Sequence, residues 1–476
     1  MLSSLEVCQL QSLALGQLGY PQVEDLQDLH TGNGASHSRR YVSPEDGKRQ
    51  DVAHAYLHPR LQDGKHPNLH ILVKAQVARV LFDQNNQAIG VECRSNKFHT
   101  GVGGKLISTI KAAKMVVLSA GTLSTPCILE RSGVGDPKVL ERAGISVILD
   151  LAGVGYDFQD HQALVTAYNS KLNPANTFEN IYNGTRKYNG TRKYNGTRKY
   201  NGTRKYNGSR EYNGSRNTQE LMANGDSILI WNGIDASAKV RPVESEVNGL
   251  GIHFRHAWDE DFRNNPSKPL ASMILINGIL GDPRPFPPGA YFTIFNYTAY
   301  PYSRGHVHIT SPELDSPVDF ITGYLSDTHD TDLKIQIWAY KKQREVARRM
   351  QHFHGEIVSQ HPVFPSGSKA SSVVEVGEAG VETDIVYSPE DDQAIERFLR
   401  ESVGTAWNPL GTCKMAPVSQ MGVVNETLSV HGVRRLKIAD MSIAPKNVSG
   451  NTMSTALMIG EKSADIFIRE LGLCRA

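Results

Sequence analysis

Cysteine is scarce in this 476-residue chain: Cys8, Cys93, Cys127, Cys413 and Cys474 are odd in number, far apart and form no C-x-x-C pair. That excludes a disulfide framework and a zinc motif, and it fits a reducing compartment. Long apolar runs are missing too. No window approaches the ~18 uninterrupted apolar residues of a membrane span, and Met1 to Leu13 lacks the basic start and apolar stretch of a secretory leader. The protein is therefore expected to be intracellular and not membrane-spanning. Nor is there an excess of charge: 51 Lys+Arg against 49 Asp+Glu leave +2, too balanced for a body that grips nucleic acid or an anionic membrane. What remains is 39% hydrophobic and 21% charged, with 42 Gly and 23 Pro. Such a composition belongs to a folded, loop-rich chain with material for two or three domains at about 150 residues each.

Hydrophobic patterning places the elements. Residues 69–73, 77–82 and 88–92, the last two joined by the polar turn 83–87, alternate as a small antiparallel meander. Residues 115–118 are an unbroken apolar run ending in Ser119-Ala120-Gly121, the pattern of a buried parallel strand entering a tight turn. A helix follows from about Ser124-Thr125-Pro126. From Gly289 to Thr310 aromatic and small residues alternate, which predicts long antiparallel strands faced by Tyr291, Phe292, Phe295, Tyr297 and Tyr300. Three further helices are expected. One covers 333–350, apolar on one face with its basic residues elsewhere. The next runs from the N-cap Ser388 and Pro389 to about Ser402. The last repeats Leu457, Ala464, Ile468 and Leu471 at helical spacing and ends at Gly472.

Residues 182–216 are unlike the rest: Tyr-Asn-Gly-Thr-Arg-Lys recurs every six residues from Tyr182 and degenerates from Tyr206. One tyrosine per unit builds no solenoid core, and each Asn-Gly favours a turn, so the segment reads as a solvated surface insertion. Its Arg and Lys residues are opposed only by Glu211, a composition that can hold single-stranded nucleic acid by charge and stacking. A non-catalytic interaction protein built round this basic arm is the alternative reading of the chain.

The stretch from Gly121 through Thr122-Leu123-Ser124-Thr125-Pro126 to Ser132-Gly133-Val134-Gly135 places small residues where backbone must approach a phosphate or a flat ring. With Asp160-His161 after Gly153-Val154-Gly155, it resembles the second signature of the glucose-methanol-choline (GMC) flavoprotein oxidoreductases. Gly411-Thr412-Cys413-Lys414-Met415, Ile438-Ala439-Asp440 and Gly450-Asn451-Thr452 agree with that. Within the family, Gly19-Tyr20-Pro21, Tyr300-Pro301-Tyr302-Ser303-Arg304-Gly305 and Trp338-Ala339-Tyr340-Lys341-Lys342 are most similar to fungal alcohol (methanol) oxidases.

The resemblance implies an α/β protein in which an incomplete FAD-binding parallel-sheet domain is interleaved with an antiparallel-sheet substrate domain. Residues 1–161 would belong to the FAD side and 162–387 to the substrate side, with the insertion at 182–216. Residues 388–476 would return to the FAD domain and carry the active site. The implied reaction oxidises a primary, short-chain alcohol with O2 as acceptor, giving aldehyde and hydrogen peroxide, and the implied assembly is a homo-oligomer. Carried over residue by residue, Trp407 resembles the aromatic wall beside the substrate and Asn451 a polar residue that orients the alcohol oxygen. Val77, Ser119, Ala120, Gly121 and Asp440 resemble positions that touch FAD, and a helix start at Thr452 would stabilise the reduced flavin's negative charge.

Two departures stand out. Asn408 occupies the place of the family's catalytic histidine, and an amide can hydrogen-bond to an alcohol but cannot take its proton. No apolar strand leads into a G-x-G-x-x-G turn, since Gly32-Asn33-Gly34-Ala35-Ser36-His37 lacks the third glycine. The chain is thus expected to begin in the family's middle and to be inactive or feeble as it stands. The pairs His306/His308 and His352/His354 would bind a metal only with a third ligand. Cys413 reads as a packed thiol with no base beside it. The final Cys474-Arg475-Ala476 partly resembles a peroxisomal tripeptide, which leaves the peroxisome or the cytoplasm as the expected location.

Overall fold

The computed structural model describes residues 14–43, 45, 47–95, 106–172, 177, 223–224, 231–283, 285–287, 289–372 and 383–473. The tandem hexapeptide at 182–216 lies outside the described residues. The largest element is an antiparallel sheet in the order Gly34–His37, Ile234–Val240, Ala271–Ile276, Tyr291–Thr298, Gln162–Ser170 and Phe353–Glu356. The two-residue strand Gly404–Thr405 also pairs with Gln162–Ser170 and so carries the chain from the 389–402 helix onto the sheet.

Side chains alternate across this sheet, and the two faces are covered differently. Tyr168, Phe292 and Ile294 pack with Ile335, Trp338 and Ala339 of the long helix Thr331–Arg349. Between them, Gln343 donates to the hydroxyls of Thr166 and Tyr168. On the opposite face Ala163, Val165, Ile274, Ile276, Phe295 and Tyr297 form an apolar floor with Ala406. All eight residues of Tyr291–Thr298 are buried, as a strand covered on both faces requires.

The long helix differs from its expected form at one position. Its basic residues were expected away from the core, yet Arg344 is wholly buried, because Glu356 on the neighbouring strand accepts from its Nε and Nη2 at 2.7 Å each. The 389–402 helix follows expectation: Ser388 Oγ accepts from the Asp391 amide and Asp391 Oδ2 from the Ser388 amide, a reciprocal cap with Pro389 in the first turn.

On the other side of the molecule Val116–Leu118 runs parallel to Leu436–Ile438. Beside it stands an antiparallel trio of Ala75–Phe82, Ala88–Ser95 and Leu106–Lys111. Residues 69–73 are not the expected strand. They are irregular, with Leu69, Ile71, Leu72 and Val73 exposed, and Lys74 turns the chain at φ +57° before pairing begins. The third strand is Leu106–Lys111 instead. The last helix, Met453–Glu470, also seats itself differently: Ile459, Ile466 and Phe467 rest on the core of Val116, Leu118 and Ile438, while Leu457, Ala464 and Ile468 lie outside it. No helix among the described residues is long and apolar enough to cross a membrane.

Burial pushes the imidazole of His352 down to about 4 from 6.5, and the ring packs edge-on against Phe292 at 5.1 Å. Between those values the unfolded chain takes up a proton that the folded chain refuses, so stability falls as pH drops from 6.5 towards 4. His352→Phe is expected to flatten that slope, read as the melting temperature at pH 7 and pH 5. An unchanged slope would place the acid sensitivity elsewhere.

Candidate active site

Four polar residues at the start of strand Gln162–Ser170 are buried together: Gln159, Asp160, His161 and Gln162, each at most 4% exposed. Buried polar groups must find partners: Gln162 bonds Asp332 and Gln336 of the long helix at 2.6 Å each, and the other three find most of theirs on two loops. Gln159 exchanges backbone hydrogen bonds with Leu410 at 3.0 and 2.9 Å. Its side chain donates to the Pro445 carbonyl and accepts from the Asn447 amide, each at 3.2 Å. His161 Nε2 donates to the Val448 carbonyl at 2.7 Å, with the ring stacked on Tyr297 at 4.7 Å. Burial lowers its pKa to about 4, against the hydrogen bonds to Val448 and Ala299, so at neutral pH the imidazole is uncharged. Asp160 Oδ1 accepts the Asn408 amide at 2.9 Å, and Oδ2 accepts the hydroxyls of Tyr324, at 3.0 Å, and of Thr405. Burial raises the Asp160 pKa, while those hydrogen bonds pull it back.

The first of the two loops holds Trp407 and Asn408. Trp407 is 67% exposed, adopts φ +59°, and stacks on Phe295 with centroids 6.3 Å apart and planes 10° from parallel. Asn408 is buried. Its Oδ1 accepts from both the amide and the hydroxyl of Thr452 at 3.1 Å, and its Nδ2 donates to the Ala406 carbonyl at 2.9 Å. The amide therefore ties this loop to the start of the last helix. Asn451, one residue earlier, is exposed beside that junction.

A second group forms where the two parallel strands end. Gly121, at φ +83°, turns the chain out of Val116–Leu118 and donates its amide to Asp440 Oδ2 at 2.9 Å, while Thr125 Oγ1 donates to the same oxygen at 2.6 Å. Asp440 Oδ1 accepts the Ser442 amide at 2.8 Å. Ser119 Oγ donates to the Ala439 carbonyl at 2.9 Å. In front of this turn lies a cavity of about 830 Å³ whose wall includes Val77, Ser119 and Ala120. The structure thus gathers those three of the expected cofactor positions in one wall, with Gly121 and Asp440 bonded to each other at the same strand ends. Thr452 goes to Asn408. The turn and the Asn408 loop are fastened together, since Thr122 Oγ1 donates to the Pro409 carbonyl at 2.8 Å and Thr412 Oγ1 to the Thr122 carbonyl at 2.6 Å.

Sequence reasoning named Asp160 and His161 only as parts of a signature and passed over Gln159, Gln162 and Thr405. The legible signal was a run of four polar residues immediately before an apolar strand. Three of the four paired histidines have structural roles: His306 Nε2 lies 3.4 Å from Asp319 Oδ1, His308 Nδ1 bonds the buried Glu130 at 2.6 Å and His352 packs on Phe292, while His354 is exposed. Among the described residues no group of three or more His, Cys, Asp or Glu is placed to hold a metal. Cys413 is wholly buried, and burial raises its pKa well above the ordinary thiol range.

Residue ranges 7–163 and 301–460 match the N- and C-terminal parts of the family described as GMC oxidoreductase. The chain is 33% identical over 512 residues to alcohol oxidase 1 of Komagataella phaffii, covering 98% of this chain and 72% of that one. To the alcohol oxidase of Candida boidinii it is 34% identical over 501 residues, with coverage of 95% and 70%. Two solved structures share the fold. One is a formate oxidase of Aspergillus oryzae, at a TM-score of 0.73 and 18% identity over 99% of this chain and 71% of that one. The other is an FAD-dependent oxidoreductase from Chaetomium thermophilum, at a TM-score of 0.71 and 22% identity over 98% of this chain and 72% of that one. With both parts matched and the alcohol oxidases a third identical, the chain belongs to the GMC oxidoreductases, a family of FAD-dependent flavoproteins.

Proposed function

We propose that this chain oxidises short primary alcohols to aldehydes, with O2 as acceptor and hydrogen peroxide as the second product, and that Asn408 makes it slow. The observation that carries the reading is the tie between the two halves of the site. Thr122 and Thr412 hold the cavity-side turn against the loop of Trp407 and Asn408, so a cofactor in the cavity and a substrate at Trp407 would meet.

The cavity residues fit FAD. Its volume lies in the range of small-molecule sites, and Ser119 and Ala120 sit at the carboxyl end of a parallel strand, where ligands approach such sheets. Lys111 and Arg131 offer positive charge for a pyrophosphate, and Val77, Val91, Val117 and Leu118 offer apolar surface for a flat ring. Bound there, FAD would supply the two-electron chemistry that no side chain provides.

The remaining work falls to the chain's own residues. Trp407 would shape an apolar wall, and Asn451 would orient the hydroxyl. Asn408 holds its neighbours in place and moves no proton: its oxygen is engaged by Thr452, its nitrogen by Ala406, and an amide has no proton affinity near neutral pH. The overall balance is one alcohol and one O2 to one aldehyde and one hydrogen peroxide. The test supplies FAD and air and follows peroxide together with acetaldehyde from ethanol and acetone from 2-propanol. Slow, equal yields of both products from ethanol alone are expected. Peroxide absent even with histidine at position 408 would contradict the proposal.

A further inference from the structure

Trp407 is held in a conformation it would not choose. A left-handed φ of +59° is uncommon for a bulky residue, and such strain persists only where the surroundings over-determine it. The surroundings here are a short relay. The Trp407 amide donates to Thr405 Oγ1 at 2.8 Å, the Thr405 hydroxyl donates to Asp160 Oδ2, and Tyr324 donates to that same oxygen at 3.0 Å. Asp160 Oδ1 meanwhile takes the amide of the next residue, Asn408, at 2.9 Å. One buried carboxylate therefore fixes two successive backbone amides, one through a hydroxyl and one directly. Its own place is set by the adjoining Gln159 and His161, which grip Leu410, Pro445, Asn447 and Val448.

We propose that Asp160 and Thr405 are positioning residues for Trp407: the relay locks the left-handed turn and so sets the indole against Phe295 as the wall of the substrate site. A carboxylate suits this task because it is acceptor-only and can take donors on both oxygens. An amide in its place would present one NH2 group to a donor already there. Thr405 suits it because a hydroxyl accepts from the Trp407 amide while donating to Asp160. A methyl in its place can do neither. The substrate role rests on the function proposed above, whereas the relay itself can be tested without flavin or alcohol.

The experiment is amide hydrogen exchange on the full chain, read residue by residue at Trp407 and Asn408. Thr405→Val, at an exposed position, should speed exchange of the Trp407 amide by roughly two- to tenfold, the span for loss of one hydrogen bond, with strand Gln162–Ser170 unchanged. Thr405→Ser keeps the hydroxyl and should restore protection. Asp160→Asn should speed exchange at both Trp407 and Asn408, and it keeps the question open to test if the valine variant folds poorly. Wild-type exchange at Trp407 in Thr405→Val, or a serine variant as exposed as the valine one, would overturn the relay. Failure of the functional reading would show separately, as absent peroxide with exchange behaving as described.

Discussion

Asn408→His is expected to raise the rate of alcohol-driven flavin reduction by about 10²- to 10⁴-fold, the usual contribution of a positioned general base. The geometry favours the exchange. The Asn408 nitrogen donates to the Ala406 carbonyl, and an imidazole there can donate to the same carbonyl from Nδ1–H, which leaves Nε2 as the unprotonated nitrogen, extended beyond the amide's reach. Near neutral pH that second nitrogen can take the alcohol's proton. The variant should also acquire a pH dependence that the parent lacks. Its rate should rise with pH through the imidazole range and then level off, because only the neutral ring is a base. Anaerobic stopped-flow loss of the flavin band measures both effects. Equal rates with Asn and His would remove proton transfer at position 408 from the account.

The largest expected effect on stability lies far from the site. Glu356→Gln should cost about 3–5 kcal/mol, since it leaves the buried guanidinium of Arg344 without its countercharge. The pair is fully enclosed, with two hydrogen bonds of 2.7 Å joining the long helix to strand Phe353–Glu356. Tyr387 shares the same guanidinium at 3.2 Å but brings no charge to balance it. Urea unfolding of both proteins gives the difference. A change below about 1 kcal/mol, the scale of exposed ion pairs, would mean that Arg344 gains water when its partner is lost.

Elements whose pattern is local were legible in the sequence. Ser388, Pro389 and Asp391 announce a helix start through contacts three residues apart, and the apolar run before Ser119-Ala120-Gly121 announces a strand that must turn at a glycine. The family signatures were legible for the same reason, and they led to Asn408, Trp407 and the Gly121 turn. Elements that depend on distant partners were not. Arg344 looks like a surface residue until Glu356 is beside it. Residues 69–73 look like a strand until Lys74 turns the chain and Leu106–Lys111 takes the place beside Ala88–Ser95. Asp160 acquires its meaning only from Thr405, Asn408 and Tyr324, which lie between about 160 and 250 positions away in sequence. A buried polar run before an apolar strand was visible, but its partners were not.

The most direct measurement is the visible absorption spectrum of the purified chain after addition of FAD and removal of free flavin, taken without air before and after a primary alcohol is added. An oxidised-flavin band that stays with the protein and fades slowly with ethanol, and much faster in Asn408→His, is the predicted result. A colourless protein, or a bound flavin that alcohol never bleaches in either form, would contradict the assignment of the cavity beside Ser119 and Ala120 and of the Asn408 loop as one active site.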